Sequence, residues 1–265
     1  MHHLHSPAGE FVDWHFIAMI AIYILWLRQL KRFIRKKASI VGALGQPIIF
    51  LLAIGFGFGP VYAKAGAGNY IQFLAPGIIV MTVLFTSIFT GLEIIWDKQF
   101  GFLKETFVAP VSRFEILLGK TLGGATVAMI QGILVFLITL LAGFRPHLAS
   151  LPLAFLFLFL VAMLSSALGA AIAARLDDMQ GFPLIFNFLV QPLFYLSGAI
   201  FPLKNLPPAL SIITKINPFS YGVDGLRGAF SGVSVFPPAL SLAVLFGVTL
   251  VILAFGAYQF SKVQL

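Results

Sequence analysis

The sequence predicts an all-α integral membrane protein with six transmembrane helices, and three observations carry that prediction. Only 10% of the 265 residues are charged, against about 25% in a soluble domain, so polar groups could not cover a water-facing surface. Mean hydropathy is +1.01, and 29 phenylalanines add apolar bulk suited to lipid. Six apolar runs reach the length of about 20 residues that a helix needs to cross the hydrocarbon core. They are 39–59, 73–92, 117–143, 151–174, 181–201 and 236–260. Each is too long and too continuous for the alternating strands of a barrel.

Residues 1–265 read as a single membrane domain, since no polar stretch is long enough for a separate soluble one. Cysteine is absent, which removes disulfides and thiolate metal sites. The net charge of +8 is clustered. In a membrane protein such clustering sets topology, and no nucleic-acid partner is expected. His2, His3 and His5, followed by Glu10 and Asp13, stand where a signal peptide would be basic. Histidines in a short terminal stretch are a weak metal signal, and no metal site is expected.

The first element is 14–37. Its apolar part, Trp14–Leu27, runs into RQLKRFIRKK. Fourteen apolar residues are short for a crossing and suit an amphipathic helix lying at the interface; a seventh span is the alternative. Arg28, Lys31, Arg32, Arg35 and Lys36 recur at helical spacing on one face, with Leu27, Leu30 and Ile34 on another. With this cluster in the cytosol, six spans place twelve of the 17 Lys and Arg inside. Lys64, Arg145, Lys204, Lys215 and Arg227 fall outside, the bias that the positive-inside rule requires. Both termini are then cytosolic.

Between the second and third spans, 97–108 places Phe100, Leu103 and Phe107 on one helical face, with Lys98, Lys104 and Glu105 on others. Pro110 breaks that helix, and Ser112 with Glu115 has the spacing of a capping box for the next. A short cytosolic amphipathic helix of this kind suits a groove on a protein partner, or rests on the membrane surface. Glu93 and Asp97 are expected to be solvated at a helix end. Residues 202–235 are broken by Pro202, Pro207, Pro208 and Pro218. They are too apolar for an ordinary loop and too interrupted to span. Two short re-entrant helices in the outer leaflet fit, with Asp224 and Arg227 paired at i,i+3.

The chemistry of an enzyme is missing from these patterns. Gly119–Thr121 reads GKT like the end of a P-loop, but Phe114 stands where that loop needs glycine. There is no HExxH pattern and no convincing Ser-His-Asp grouping. The spans show no confident buried charge of the kind proton-coupled carriers use. Asp177 and Asp178, the only paired carboxylates, read as a loop. A self-sufficient secondary transporter and an integral-membrane lipid enzyme are thus the alternatives, and the leading expectation is a transporter that draws energy from a partner.

The stretch DKQFGFLKETFVAPVSRFEILLGK resembles the cytosolic loop of ABC-2 type permeases, the membrane subunits of ATP-binding cassette exporters. LVQPLFYLSGAIFPLKNLPPALSIITKINPFSYGVDGLRGAF resembles that family's region around span five and the outer re-entrant helices. The resemblance implies a homodimer of permeases with two ATPase subunits below it, in a prokaryotic plasma (inner) membrane. ATP and Mg would then belong to the ATPase, with no cofactor on this chain. It implies a coupling helix seated on the ATPase through Asp97, Phe100, Leu103, Lys104, Glu105 and Phe107. It implies an interface helix that touches the ATPase through Arg28, Arg32 and Arg35. Asp97-Lys98 departs from the Arg-Glu pair of many relatives. A route lined by spans one, two and five would here carry Phe50, Phe85, Phe89, Phe186, Asn187, Gln191 and Tyr195. Asn217, Pro218, Tyr221, Asp224 and Arg227 would belong to the outer re-entrant region. The implied activity is export of an amphiphile: a drug, a lipid or a lipid-linked glycan.

Overall fold

The computed structural model describes residues 14–64, 68–102, 106, 111–204 and 206–262, and among these there are helices and no strands. Helix α1 covers Trp14–Arg35. A break at Lys36 separates it from α2, Lys37–Phe50, which continues through a π-helical turn, Leu51–Phe56, into α3, Gly57–Lys64. Helix α4 is Tyr70–Gln99, opened by the Asn69 side chain, which accepts from the Ile71 N–H at 2.9 Å. Helix α5 is Arg113–Leu141. Its start is a capping box: the Glu115 N–H donates to the Ser112 hydroxyl at 3.2 Å and the Ser112 N–H to the Glu115 carboxylate at 2.8 Å. These two bonds satisfy donors that a helix start leaves open. Helix α6 is Leu151–Arg175. Then come α7, Gly181–Ile185, a second π-helical turn, Phe186–Val190, and α8, Gln191–Tyr195. Helices α9, Pro208–Ile216, α10, Pro218–Ser231, and α11, Pro238–Ser261, complete the fold.

Five helical stretches are long and apolar enough to cross a membrane: Ile40–Lys64, Tyr70–Gln99, Arg113–Leu141, Leu148–Arg175 and Pro238–Ser261. The sixth run, 181–201, is helical only over Gly181–Tyr195. Fifteen residues rise about 22 Å, short of the roughly 30 Å hydrocarbon core. Turns at 196–201 take up the remainder of that run. Both π-helical turns lie between prolines, Pro47 and Pro60 around the first, Pro183 and Pro192 around the second. Each proline withdraws one N–H from the helical ladder, and the wider turn re-registers the bonds that remain.

Helix α4 is the axis of the bundle. In its most apolar window 72% of the residues are buried, against 17% for α2–α3 and 28% for α11. It packs chiefly on α6 and α5, and α6 in turn on α11. The crossing of α4 and α6 is close enough that a Cβ on Gly91 would strike the Gly169 carbonyl, and one on Gly169 the Ile88 carbonyl. Small residues of this kind let membrane helices touch backbone to backbone. Helix α1 lies along the first turns of α5, where Gly119 faces Leu25 and Gly123 faces Gln29.

The expected boundaries shift where a helix runs on through charged residues. Helix α4 runs through Glu93 and Asp97 to Gln99, so the helix expected at 97–108 does not begin at Asp97. The chain turns instead at Gly101, whose φ of 79° suits glycine. Leu103, Lys104, Glu105, Phe107 and the remainder of 103–105 and 107–110 lie outside the described residues.

Candidate functional site

One end of the bundle holds an ionic cluster built from three helices. Asp97 is 4% exposed. Its carboxylate accepts from the Arg28 guanidinium at 2.8 Å and, on its other oxygen, from the Lys120 ammonium. Arg32 lies 3.7 Å from the same carboxylate and 3.2 Å from Glu93. Lys120 is itself buried, on the second turn of α5. Charge so deeply enclosed is tolerated only when paired and hydrogen-bonded. The cluster therefore fastens α1 to α4 and α5 at one point. It lies at the border of the bundle rather than midway along a span.

This geometry corrects the reading of Asp97. Asp97 is not a solvated helix end, nor is it open to a partner, since its oxygens are already engaged. Arg28 and Arg32 turn inward with it, while Arg35 stays exposed. The buried stripe of α1 is Leu25 and Gln29, with Trp26 donating to the Thr126 hydroxyl at 2.9 Å. The GKT tripeptide has a structural role: Gly119 admits α1, and Lys120 reaches Asp97. Gly119 and Gly123, four residues apart on an apolar helix, were the signal that something packs there. Lys98 also turns inward, donating to the Leu176 carbonyl at 2.8 Å and lying 3.0 Å from Asp177, which closes the end of α6. At this same end Phe100 is 73% exposed, and Phe102 lies under Arg28 at 5.1 Å.

Further along α4 the aromatic residues expected on a transport route form a cluster. Phe85 meets Phe186 at 5.0 Å and Phe194 at 5.3 Å, both edge-on. Phe89 meets Phe186 at 4.6 Å and Phe182 at 6.0 Å. Gln191 donates to the Tyr195 hydroxyl at 3.0 Å, and Asn187 is exposed one turn earlier. Phe50 packs on the core from α2. Phe85 and Phe89 also border a half-open cavity of about 300 Å³ between α1, α2, α4 and α5.

At the opposite end the re-entrant candidates are ordered by backbone contacts. Asn217 accepts from the Phe219 N–H at 3.0 Å, which caps α10, with Pro218 as its first residue. Tyr221 donates to the Lys215 carbonyl at 2.8 Å and stacks on Phe236 at 4.4 Å between ring centres. Asp224 and Arg227 do not pair with each other as expected. Asp224 accepts from the Val235 and Phe236 N–H groups, each at 2.8 Å. Arg227 donates to the Gly198 carbonyl at 3.0 Å and stacks over Phe73 at 3.9 Å. Both are buried, so each finds the nearest open backbone group, and between them they hold α10 to α4, α11 and the turn after α8.

The bundle of long apolar helices with buried polar ties at both ends defines a multi-pass integral membrane protein. Its residues 20–231 match the model of the ABC-2 type transporter family, and the chain belongs to that family. It is 30% identical over 255 residues to the inner membrane transport permease YadH of Escherichia coli (strain K12), a match that covers 92% of this chain and 95% of that one. It is 30% identical over 218 residues to the transport permease ycf38 of Cyanophora paradoxa, covering 79% and 74%. It is 25% identical over 212 residues to nodulation protein J of Rhizobium leguminosarum bv. viciae, covering 78% and 81%. It is thus a membrane transport protein of the permease type.

Proposed function

We propose that this chain is the membrane subunit of an ATP-binding cassette exporter, driven by ATP hydrolysis on two separate ATPase subunits and paired with a second copy of itself. The observation that carries the reading is the ionic cluster at the basic end. It joins the N-terminal helix to the long axial helix and the start of α5, the two helices that 100–112 connects in sequence, so a push on that connection would reach three helices at once. Exposed Phe100 at this end supports docking there. The basic end is assigned to the cytosol by its excess of Lys and Arg, and Gly181–Phe201 to a sixth, bent crossing. The name of the YadH relative supports an inner-membrane location. Phe85, Phe89, Phe186 and Tyr195 line the route for an amphiphilic substrate, and α9 and α10 dip into the outer leaflet. ATP and Mg are held by the ATPase.

The test is co-purification of the ATPase with the triple variant Phe100→Ala, Leu103→Ala and Phe107→Ala, alongside ATP-driven transport in inverted vesicles. Truncating an anchor that a partner's groove encloses costs about 2 kcal/mol or more at a hot spot, so the ATPase should be lost or its hydrolysis uncoupled. Assembly and transport both intact in the triple variant would remove the coupling role.

A further inference from the structure

The cavity beside Phe85 and Phe89 carries two features that packing does not require. Gln131, 1% exposed, borders it from α5, and its side-chain oxygen has no hydrogen-bond partner among the described residues. At the other end stand Lys36 and Arg32, with Glu93 the single acid among the described residues that line the cavity. Glu93 already faces Arg32 at 3.2 Å. Lys36 is exposed, lies over the Trp96 ring at 5.0 Å and remains as the excess positive charge. Met81 and Glu93 both border the cavity, and twelve helical residues separate them by about 18 Å. The space is therefore a long slot, and at about 300 Å³ it lies at the small end of ligand sites. Apolar Met81, Phe85 and Phe89 and hydroxyl-bearing Thr86 border it from α4, and Ala43 from α2, between a cation at one end and an open acceptor at the other.

We propose that this slot binds one single-chain amphiphile, with an anionic head group at Lys36, its chain along Phe85 and Phe89, and a hydroxyl or N–H further down the chain donating to Gln131. An open amide oxygen enclosed in apolar surroundings is costly, and a ligand donor removes that cost. Among the described residues Lys36 is the cation of the slot that lacks an acid partner, and a charged head group meets it there. The inference deepens the export reading by naming a substrate class, yet binding itself needs no ATPase.

The chain has no cysteine, so a Thr86→Cys variant of the full chain reports on the slot through its reaction with a methanethiosulfonate reagent. Ala43→Cys on the facing wall is the second reporter should the first fail to fold. The probes are 12-hydroxystearate, its methyl ester and stearate, at pH 8.5. The hydroxy acid should protect the cysteine at a concentration about tenfold lower than either comparison compound, the weight of one hydrogen bond to a charged or buried group. Lys36→Gln should erase the preference over the ester, and Gln131→Leu the preference over stearate. Equal protection by acid and ester, equal protection with and without the hydroxyl, or a cysteine that never reacts would each overturn the proposal. None of these results alters whether the ATPase co-purifies.

Discussion

Asp97 serves three cations, Arg28, Arg32 and Lys120, with Glu93 as the second acid of the group. The two signs are therefore unequal in what they can lose. Asp97→Asn leaves the buried Lys120 without its carboxylate, a loss of about 3–5 kcal/mol. Lys120→Met keeps Asp97 paired with Arg28 and should cost clearly less. Thermal unfolding of the purified variants in detergent checks this ranking, and a less stable Lys120→Met would show that the cluster is organised around the lysine instead. None of this was legible locally. Asp97 sits in a run of charged residues that looks solvated, and its partners lie 69 residues before it and 23 after it. Hydropathy weighs each charge by its neighbours in sequence, whereas burial here depends on α1 folding back along α5.

Among the elements, the contact of α4 with α6 is set by backbone, not by side-chain interlocking. Gly169→Ala puts a methyl group against the Ile88 carbonyl and should cost about 1–3 kcal/mol as overpacking. Gly57→Ala, at the end of the first π-helical turn with nothing near its added carbon, should be neutral or slightly stabilising. Size-exclusion profiles after mild heating would separate the two, and equal tolerance would mean that α4 and α6 can move apart freely. Most helices were readable from apolar length, and the start of α5 from Ser112 and Glu115, because those signals are local. The run 181–201 misled because its composition stays apolar past the last helical turn. Pro183 and Pro192 within it were the physical hint that the helix changes pitch and ends early.

Over the whole molecule, burial is uneven by design of the sequence: the axial helix is enclosed, while α2–α3 and α11 face outward with exposed Phe56, Phe58, Phe246 and Phe255. The lipid around a multi-pass membrane protein accounts for such a surface. The end opposite the ionic cluster is held by single polar residues instead. Asp224→Ala leaves the Val235 and Phe236 N–H groups unpaired at about 1–3 kcal/mol each, while Lys64→Ala, at an exposed site, should stay within about 0.5 kcal/mol. Expression level and transport measured side by side test this, and matching behaviour would make the region a solvated loop. The ionic cluster also bears on how the chain is made. Synthesis proceeds from the N-terminus, so Arg28, Glu93 and Asp97 have left the ribosome before Lys120 does. Lys120 therefore emerges after its counter-charge, which stands on the preceding helix at the same border of the bundle. The order of residues along the chain thereby lets the lysine be buried against a carboxylate that is already made.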